Sequence, residues 1–138
     1  MRIMALDLGT KTIGVAVSDA TCLIARGLET IRRQGTVRDF ARLTEIIKAE
    51  EVTTIVLGYP KNMNGTIGER AHASEEYRDL LKEHFPDLEV VLWDERLSTV
   101  AAEKVLISAD LQRKKRRKII DMMAAVVILQ NYLDHQRR

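Results

Sequence analysis

Three acidic residues stand where the surrounding sequence is apolar. Asp7 interrupts a strand-like run between Leu6 and Leu8, Glu95 follows the apolar stretch 88–93, and Asp121 lies inside 119–129, a segment apolar nearly all round a helix. A buried carboxylate is costly unless it is paired, hydrogen-bonded or facing a metal. Each acid has an ordinary explanation: a turn cap at Gly9-Thr10 for Asp7, a surface ion pair or cap for Glu95, and a helix cap or a bridge to Lys115 or Lys118 for Asp121. A second explanation covers all three. Carboxylates gathered at one edge of a sheet repel one another, and divalent cations relieve that repulsion. Hard oxygen ligands suit Mg²⁺ or Mn²⁺, and one or two such ions activate a water and stabilise the leaving oxygen in phosphodiester hydrolysis. No other catalytic set competes. His72, His84 and His135 lack ligand spacing, Cys22 has no C-x-x-C partner, and no G-x-S-x-G occurs.

The charge pattern points to a polyanion. The chain has 138 residues and a formal net charge of +2. Arg113, Lys114, Lys115, Arg116, Arg117 and Lys118 form an unbroken run of six cations, without which the +2 becomes −4. A mildly acidic body with one dense basic segment suits a polyanionic partner contacted at one place. Aromatic residues are 4% of the chain, so phosphate contacts rather than base stacking are expected to dominate. No apolar run reaches the roughly 18 residues of a membrane span, no signal-peptide pattern opens the chain, and a lone cysteine fits a reducing compartment. A single cytoplasmic domain over residues 1–138 is expected.

The elements that must position these acids follow from periodicity. Residues 2–8 and 12–18 read as strands joined by a turn at Gly9-Thr10-Lys11 short enough for a hairpin. A third, less regular strand is expected over 23–31, a helix over 37–49, and a strand buried on both faces over 53–58. A second helix is expected over 68–85, with Ala73, Tyr77, Leu80, Leu81 and His84 at or near its apolar stripe. A fifth strand is expected over 88–93, a helix capped by Thr99 through about 109, and final helical structure through residue 133. The order β-β-β-α-β-α-β-α-α requires a partly parallel sheet covered by helices, with sites beyond the carboxyl ends of its parallel strands. Glu95 rather than Asp94 is the expected site acid, because the side-chain period of two puts it on the face of Val91 and Trp93. The small pair Ala124-Ala125 lets the last helix approach the sheet closely and bring Asp121 toward the strand ends.

Four segments carry a resemblance: Asp7-Leu8-Gly9-Thr10-Lys11-Thr12-Ile13-Gly14, then Pro60-Lys61-Asn62-Met63-Asn64-Gly65, then Asp94-Glu95-Arg96-Leu97-Ser98-Thr99, and finally Lys118-Ile119-Ile120-Asp121 with Ala124-Ala125. In this order they resemble the YqgF family, bacterial pre-16S rRNA nucleases also described as Holliday-junction resolvases, over essentially the whole chain. The resemblance implies an α/β, RNase H-like fold: a five-stranded mixed sheet of order 3-2-1-4-5, second strand antiparallel, flanked by helices. It implies a nuclease dependent on Mg²⁺ or Mn²⁺ acting in ribosomal RNA maturation, with branched DNA as the alternative substrate. Asp7, Glu95 and Asp121 match the family's acidic centre. Lys11, Arg96 and the run from Arg113 to Lys118 match positions expected to meet nucleic acid. Ribosomal association and a monomer or homodimer are the expected assemblies.

Two further features bear on this expectation. Many RNase H-like enzymes place an acid on the fourth strand, whereas this chain has Leu57-Gly58-Tyr59-Pro60 there, so Glu95 has to reach in from one strand farther. Without such reach, a weakly catalytic or non-catalytic nucleic-acid-binding module is the remaining alternative. Asn62 and Asn64 in the loop after the fourth strand are candidates to contact sugar or base edges, or to form turns. The D-x-G-T-K-x-x-G segment also resembles the phosphate loop of actin- and hexokinase-like ATPases, which need two such domains where 138 residues supply one.

Overall fold

The structure is a computed structural model that describes residues 1–62, 64–95 and 113–137, with the backbone alone for 113–119 and 121. Alternating apolar residues build the first hairpin, β1 (Arg2–Leu8) and β2 (Thr12–Ser18), closed by the Gly9 amide donating to the Thr12 carbonyl at 2.8 Å. β3 (Ala25–Arg32), α1 (Thr36–Glu50), β4 (Val52–Tyr59), α2 (Glu69–His84), β5 (Glu89–Asp94) and α3 (Arg113–Gln136) follow. The five strands form one sheet in the order β3-β2-β1-β4-β5. β2 is antiparallel to β1 and β3, while β1, β4 and β5 run parallel. This is the expected order, and β1, β4 and β5 present their carboxyl ends along one edge. The expected capped helix over 99–109 lies outside the described residues.

Two layers of helix cover the sheet. On one face, Met4, Leu6, Val15, Ile55 and Leu57 pack against Phe40, Leu43 and Ile46 of α1 and Tyr77 and Leu81 of α2. On the other, the small residues Ala5 and Ala16 and the adjacent Val56 meet Ala124, Ala125, Ile128 and Leu129 of α3. Alanine against alanine brings α3 close to the sheet, as the Ala124-Ala125 pair implied. Gly27 of β3 takes this furthest: a Cβ there would stand 2.7 Å from Cγ of Met122. Among the described residues no helix is long and apolar enough to cross a membrane.

Two local expectations are corrected. The third strand begins at Ala25 rather than residue 23, because the Asp19 carboxylate captures the amides of Leu23 at 2.8 Å and Ile24 at 3.1 Å and holds them in a turn. These bonds and the Thr21 hydroxyl, which contributes most, lower the Asp19 pKa. The buried stripe of α2 runs through Ala71, Ser74, Tyr77 and Leu81, while Leu80 is 43% exposed and Ala73 also faces outward. Ser74 can be buried because its hydroxyl donates to the Arg70 carbonyl at 3.2 Å, which a hydrophobicity pattern does not register.

Candidate active site

Asp7 is the one charged side chain buried in β1, with 6% of its surface exposed. It shares the α3-covered face with Ala5, since side chains alternate along a strand. Its neighbours across the sheet decide what surrounds it. Asp7 pairs with Gly14 on β2. The pairing with β4 is registered as far as Leu6–Leu57, and Asp7 and Gly58 stand one residue beyond it on their strands. Gly58 in turn pairs with Trp93 of β5. The row Gly14–Asp7–Gly58 therefore flanks a carboxylate with two residues that have no side chain, on the face that α3 covers.

Glu95 uses that opening. It follows the last residue of β5, yet its side chain returns over β4. A Cβ on residue 58 would stand 3.3 Å from Cδ and 3.4 Å from Oε2 of Glu95. The same Cβ would stand 2.9 Å from Cδ1 of Ile128 on α3, so Glu95 lies on the α3-covered face, the face that carries Asp7. One interstrand spacing, about 4.8 Å, separates the strand beneath the Glu95 carboxylate from the strand that bears Asp7. The acid-free fourth strand is thus the reason an acid from the fifth can reach inward.

Position 121 falls on the stripe of α3 that faces the sheet, three, four and seven residues before the buried Ala124, Ala125 and Ile128. Its side chain lies outside the described ones, as do those of Arg113, Lys114, Lys115, Arg116, Arg117 and Lys118; Arg96 is likewise outside the described residues. Among the described residues there is no cluster of three or more metal-ligating side chains. Asp7 and Glu95 are the two candidate acids whose side chains the structure brings to one face.

The rim of the site is built from turns. Lys11 is exposed at the tip of the hairpin, and its carbonyl accepts the Arg33 amide at 2.9 Å. Asn62 and Asn64 are exposed in the loop after β4, and both side chains are engaged within it: Asn62 Nδ2 donates to Thr66 Oγ1 at 2.9 Å, and Asn64 Oδ1 accepts the Thr66 amide at 3.1 Å. Sequence reasoning missed the anchor of this loop. The Tyr59 hydroxyl donates to Glu75 Oε2 at 3.0 Å, and Glu75 Oε1 meets His72 Nδ1 at 3.0 Å. Burial first, and this bond second, raise the Tyr59 pKa. Gly14 and Gly58 were missed as well; their signal is a register, visible only once strands are paired.

The family model described as RuvX, Holliday junction resolvase, matches residues 1–135. A protein of Geobacillus kaustophilus (strain HTA426) named "Putative pre-16S rRNA nuclease" is 61% identical over 139 residues, covering 99% of this chain and 100% of the relative. One of the same name from Desulfitobacterium hafniense (strain DSM 10664 / DCB-2) is 56% identical over 138 residues, covering 100% of this chain and 95% of the relative. Among solved structures, Thermus thermophilus RuvC in complex with a Holliday junction superposes with a TM-score of 0.65 at 14% identity, over 99% of this chain and 96% of that one. At that identity the likeness is one of fold, the RNase H-like fold of resolvases. The match along nearly the whole sequence and the high identity to full-length relatives lead to one conclusion: the chain belongs to the RuvX family.

Proposed function

We propose that the protein is a metal-dependent nuclease that processes the 5′ end of the 16S rRNA precursor during ribosome biogenesis, with Asp7, Glu95 and Asp121 as its metal-holding and catalytic acids. By family it is a hydrolase of phosphodiester bonds. The name shared by its curated relatives supports the rRNA substrate. The single observation that carries the reading is the Glu95 side chain lying over Gly58, next to the strand that holds Asp7. It answers the strongest objection to catalysis, the missing acid on β4.

The donor chemistry fits Mg²⁺ or Mn²⁺. Asp7 and Glu95 offer hard oxygens on one face, and Gly58, on the strand between them, adds no side-chain atoms there. One or two such ions, when bound, supply an activated water and charge stabilisation for the leaving oxygen. The chain's own residues do the rest. β1 and β5 hold the two carboxylates from separate elements under α3. The Gly9 turn, with its amide committed to Thr12, lets a phosphate approach the backbone closely, and Thr10 and Lys11 add a hydroxyl and a cation. Lys11, Arg96 and the run Arg113–Lys118 contact phosphates, and Asn62 and Asn64 line the strand-four side of the path. The protein acts as one cytoplasmic domain over residues 1–138, on ribosomal precursors, as a monomer or homodimer.

A second reading, cleavage of four-way DNA junctions, is favoured by the description of the matching family. Purified protein with Mg²⁺ or Mn²⁺ is offered a precursor-16S 5′ segment and, separately, a four-way junction. Site-specific cleavage of the RNA with the junction left intact is expected. Preferential junction cleavage establishes the second reading instead, and no cleavage of either with both ions removes the nuclease assignment.

A further inference from the structure

The described cations differ in what surrounds them. Along the body of the molecule, Arg2 and Arg26 pair with Glu50, Arg42 with Glu29 and Glu45, Arg78 with Asp79, and Arg137 with Asp134. Lys48 and Lys82 stand in the last turns of α1 and α2, where a cation complements the helix dipole. Outside both groups, Lys61 lies over the Tyr59 ring and Arg70 stands in the first turn of α2, while Lys11, Arg32, Arg33 and Arg38 remain. All four are exposed, and none is within ion-pair distance of a described carboxylate. Arg38 stands in the first turn of α1, where a cation opposes the dipole, so helix stability does not account for it.

These four residues come from adjoining segments, the β1–β2 turn, the end of β3 and the start of α1. β3 is parallel to β1, so Arg32 and Arg33 emerge at the same sheet edge as Asp7. Arg33 ties the corner to the hairpin: its Nη1 donates to the Gly9 carbonyl at 2.7 Å, and its guanidinium lies 5.6 Å from the centre of the Tyr77 ring. Arg38 Nη1 donates to Gln34 Oε1 at 3.3 Å on the same segment. The one carboxylate here is Asp39, which is 3% exposed and accepts the Gln34 amide at 3.0 Å. Nothing acidic faces outward among the residues between β3 and the first turn of α1.

We propose that the β3–α1 corner, formed by Lys11, Arg32, Arg33 and Arg38, is a second phosphate-binding surface that grips the substrate strand away from the cleaved bond. The proposal rests on the nuclease reading for the position of that bond. β3 lies two strands from β1, about 10 Å away, so the contact falls a few nucleotides from the scissile phosphate, on the side opposite to Glu95. A backbone is the fitting partner because the corner continues the edge along which Asp7 and the Gly9 turn already lie.

The test measures binding in an Asp7→Asn background, which needs no turnover. Arg32→Gln with Arg38→Gln is compared with its parent on a long RNA and on one trimmed to two nucleotides either side of the cleavage site. On the long RNA, affinity is expected to fall on the order of ten-fold and the log–log salt slope to flatten by roughly 1.5, from 0.7 per single-strand phosphate. On the trimmed RNA the two proteins are expected to bind equally. Unchanged binding of the long RNA, or equal loss on both RNAs, overturns the proposal. Melting temperature controls for folding, and Arg38→Gln alone serves as the second, milder variant. Cleavage by the Asp7-bearing protein judges the nuclease reading separately, so the two can fail independently.

Discussion

Glu95 lies against Gly58. A single methyl group on residue 58 would sit 3.4 Å from its Oε2 and 2.9 Å from Cδ1 of Ile128. Both neighbours would have to give, and they belong to different tasks: Ile128 is core, whereas Glu95 is a proposed metal ligand.

Gly58→Ala is therefore expected to lower both stability, by about 1–3 kcal/mol from overpacking, and cleavage. Adding Ile128→Val removes the Cδ1 that the new methyl meets most closely. The double variant is expected to recover melting temperature while cleavage stays depressed, because the crowding of Glu95 persists. Recovery of both together would mean that Gly58 serves packing alone.

Gly27→Ala probes the opposite end of the α3 contact. Its Cβ would stand within 3.0 Å of Cγ, Sδ and Cε of Met122, the residue after Asp121. Cleavage is expected to fall although no acid is altered, and pairing the change with Met122→Ala, which shortens the obstructing side chain, is expected to restore it. Comparison of kcat with melting temperature across the three proteins checks this.

Tyr77 makes the alkaline limb of stability informative. Burial, and then the Asp39 carboxylate, push its phenol up to about 12, with Arg33 opposing. An unfolded chain ionises tyrosine near pH 10. Between those values the folded state keeps a proton that the unfolded state has released. This contribution is complete below about pH 10 and is lost as pH rises through 12, amounting to ~3 kcal/mol. Tyr77→Phe is expected to flatten that part of the decline in denaturant titrations at pH 9 to 12. An unaltered decline would place the loss elsewhere.

The basic run offers a thermodynamic reading of its own. If it neutralises about four to six phosphates on duplex, the log–log salt slope of binding is roughly −4 to −5. Neutralising Lys114, Lys115, Arg116 and Arg117 together is expected to flatten the slope by about 3 to 4 and leave the melting temperature nearly unchanged. Equal loss of affinity and stability would make the run structural.

What could be read from residues alone followed the physics of each feature. A partly parallel, helix-covered sheet and the face of Glu95 were legible because period-two alternation and crossover rules are local or topological, whereas the strand order came with the resemblance to the YqgF family. The start of β3 was not, because the amides of Leu23 and Ile24 were claimed by a single side chain, Asp19. Nor was the role of Gly58, since a missing side chain matters only through its register with Asp7 and Trp93. The same holds for cations: Arg113 to Lys118 announce themselves as a run, whereas Lys11, Arg32, Arg33 and Arg38 come from a turn, a strand end and a helix start, and become a surface only on folding.

Asp7 carries the most weight, and Asp7→Asn tests it most directly, being nearly isosteric at a site only 6% exposed. The measurement is cleavage of the precursor RNA across a Mg²⁺ and Mn²⁺ titration, with protein purified free of other nucleases. Abolished cleavage with the fold and melting transition retained is the predicted result. Undiminished cleavage at any concentration of either ion would remove Asp7 from the chemistry, and the shared carboxylate site with it.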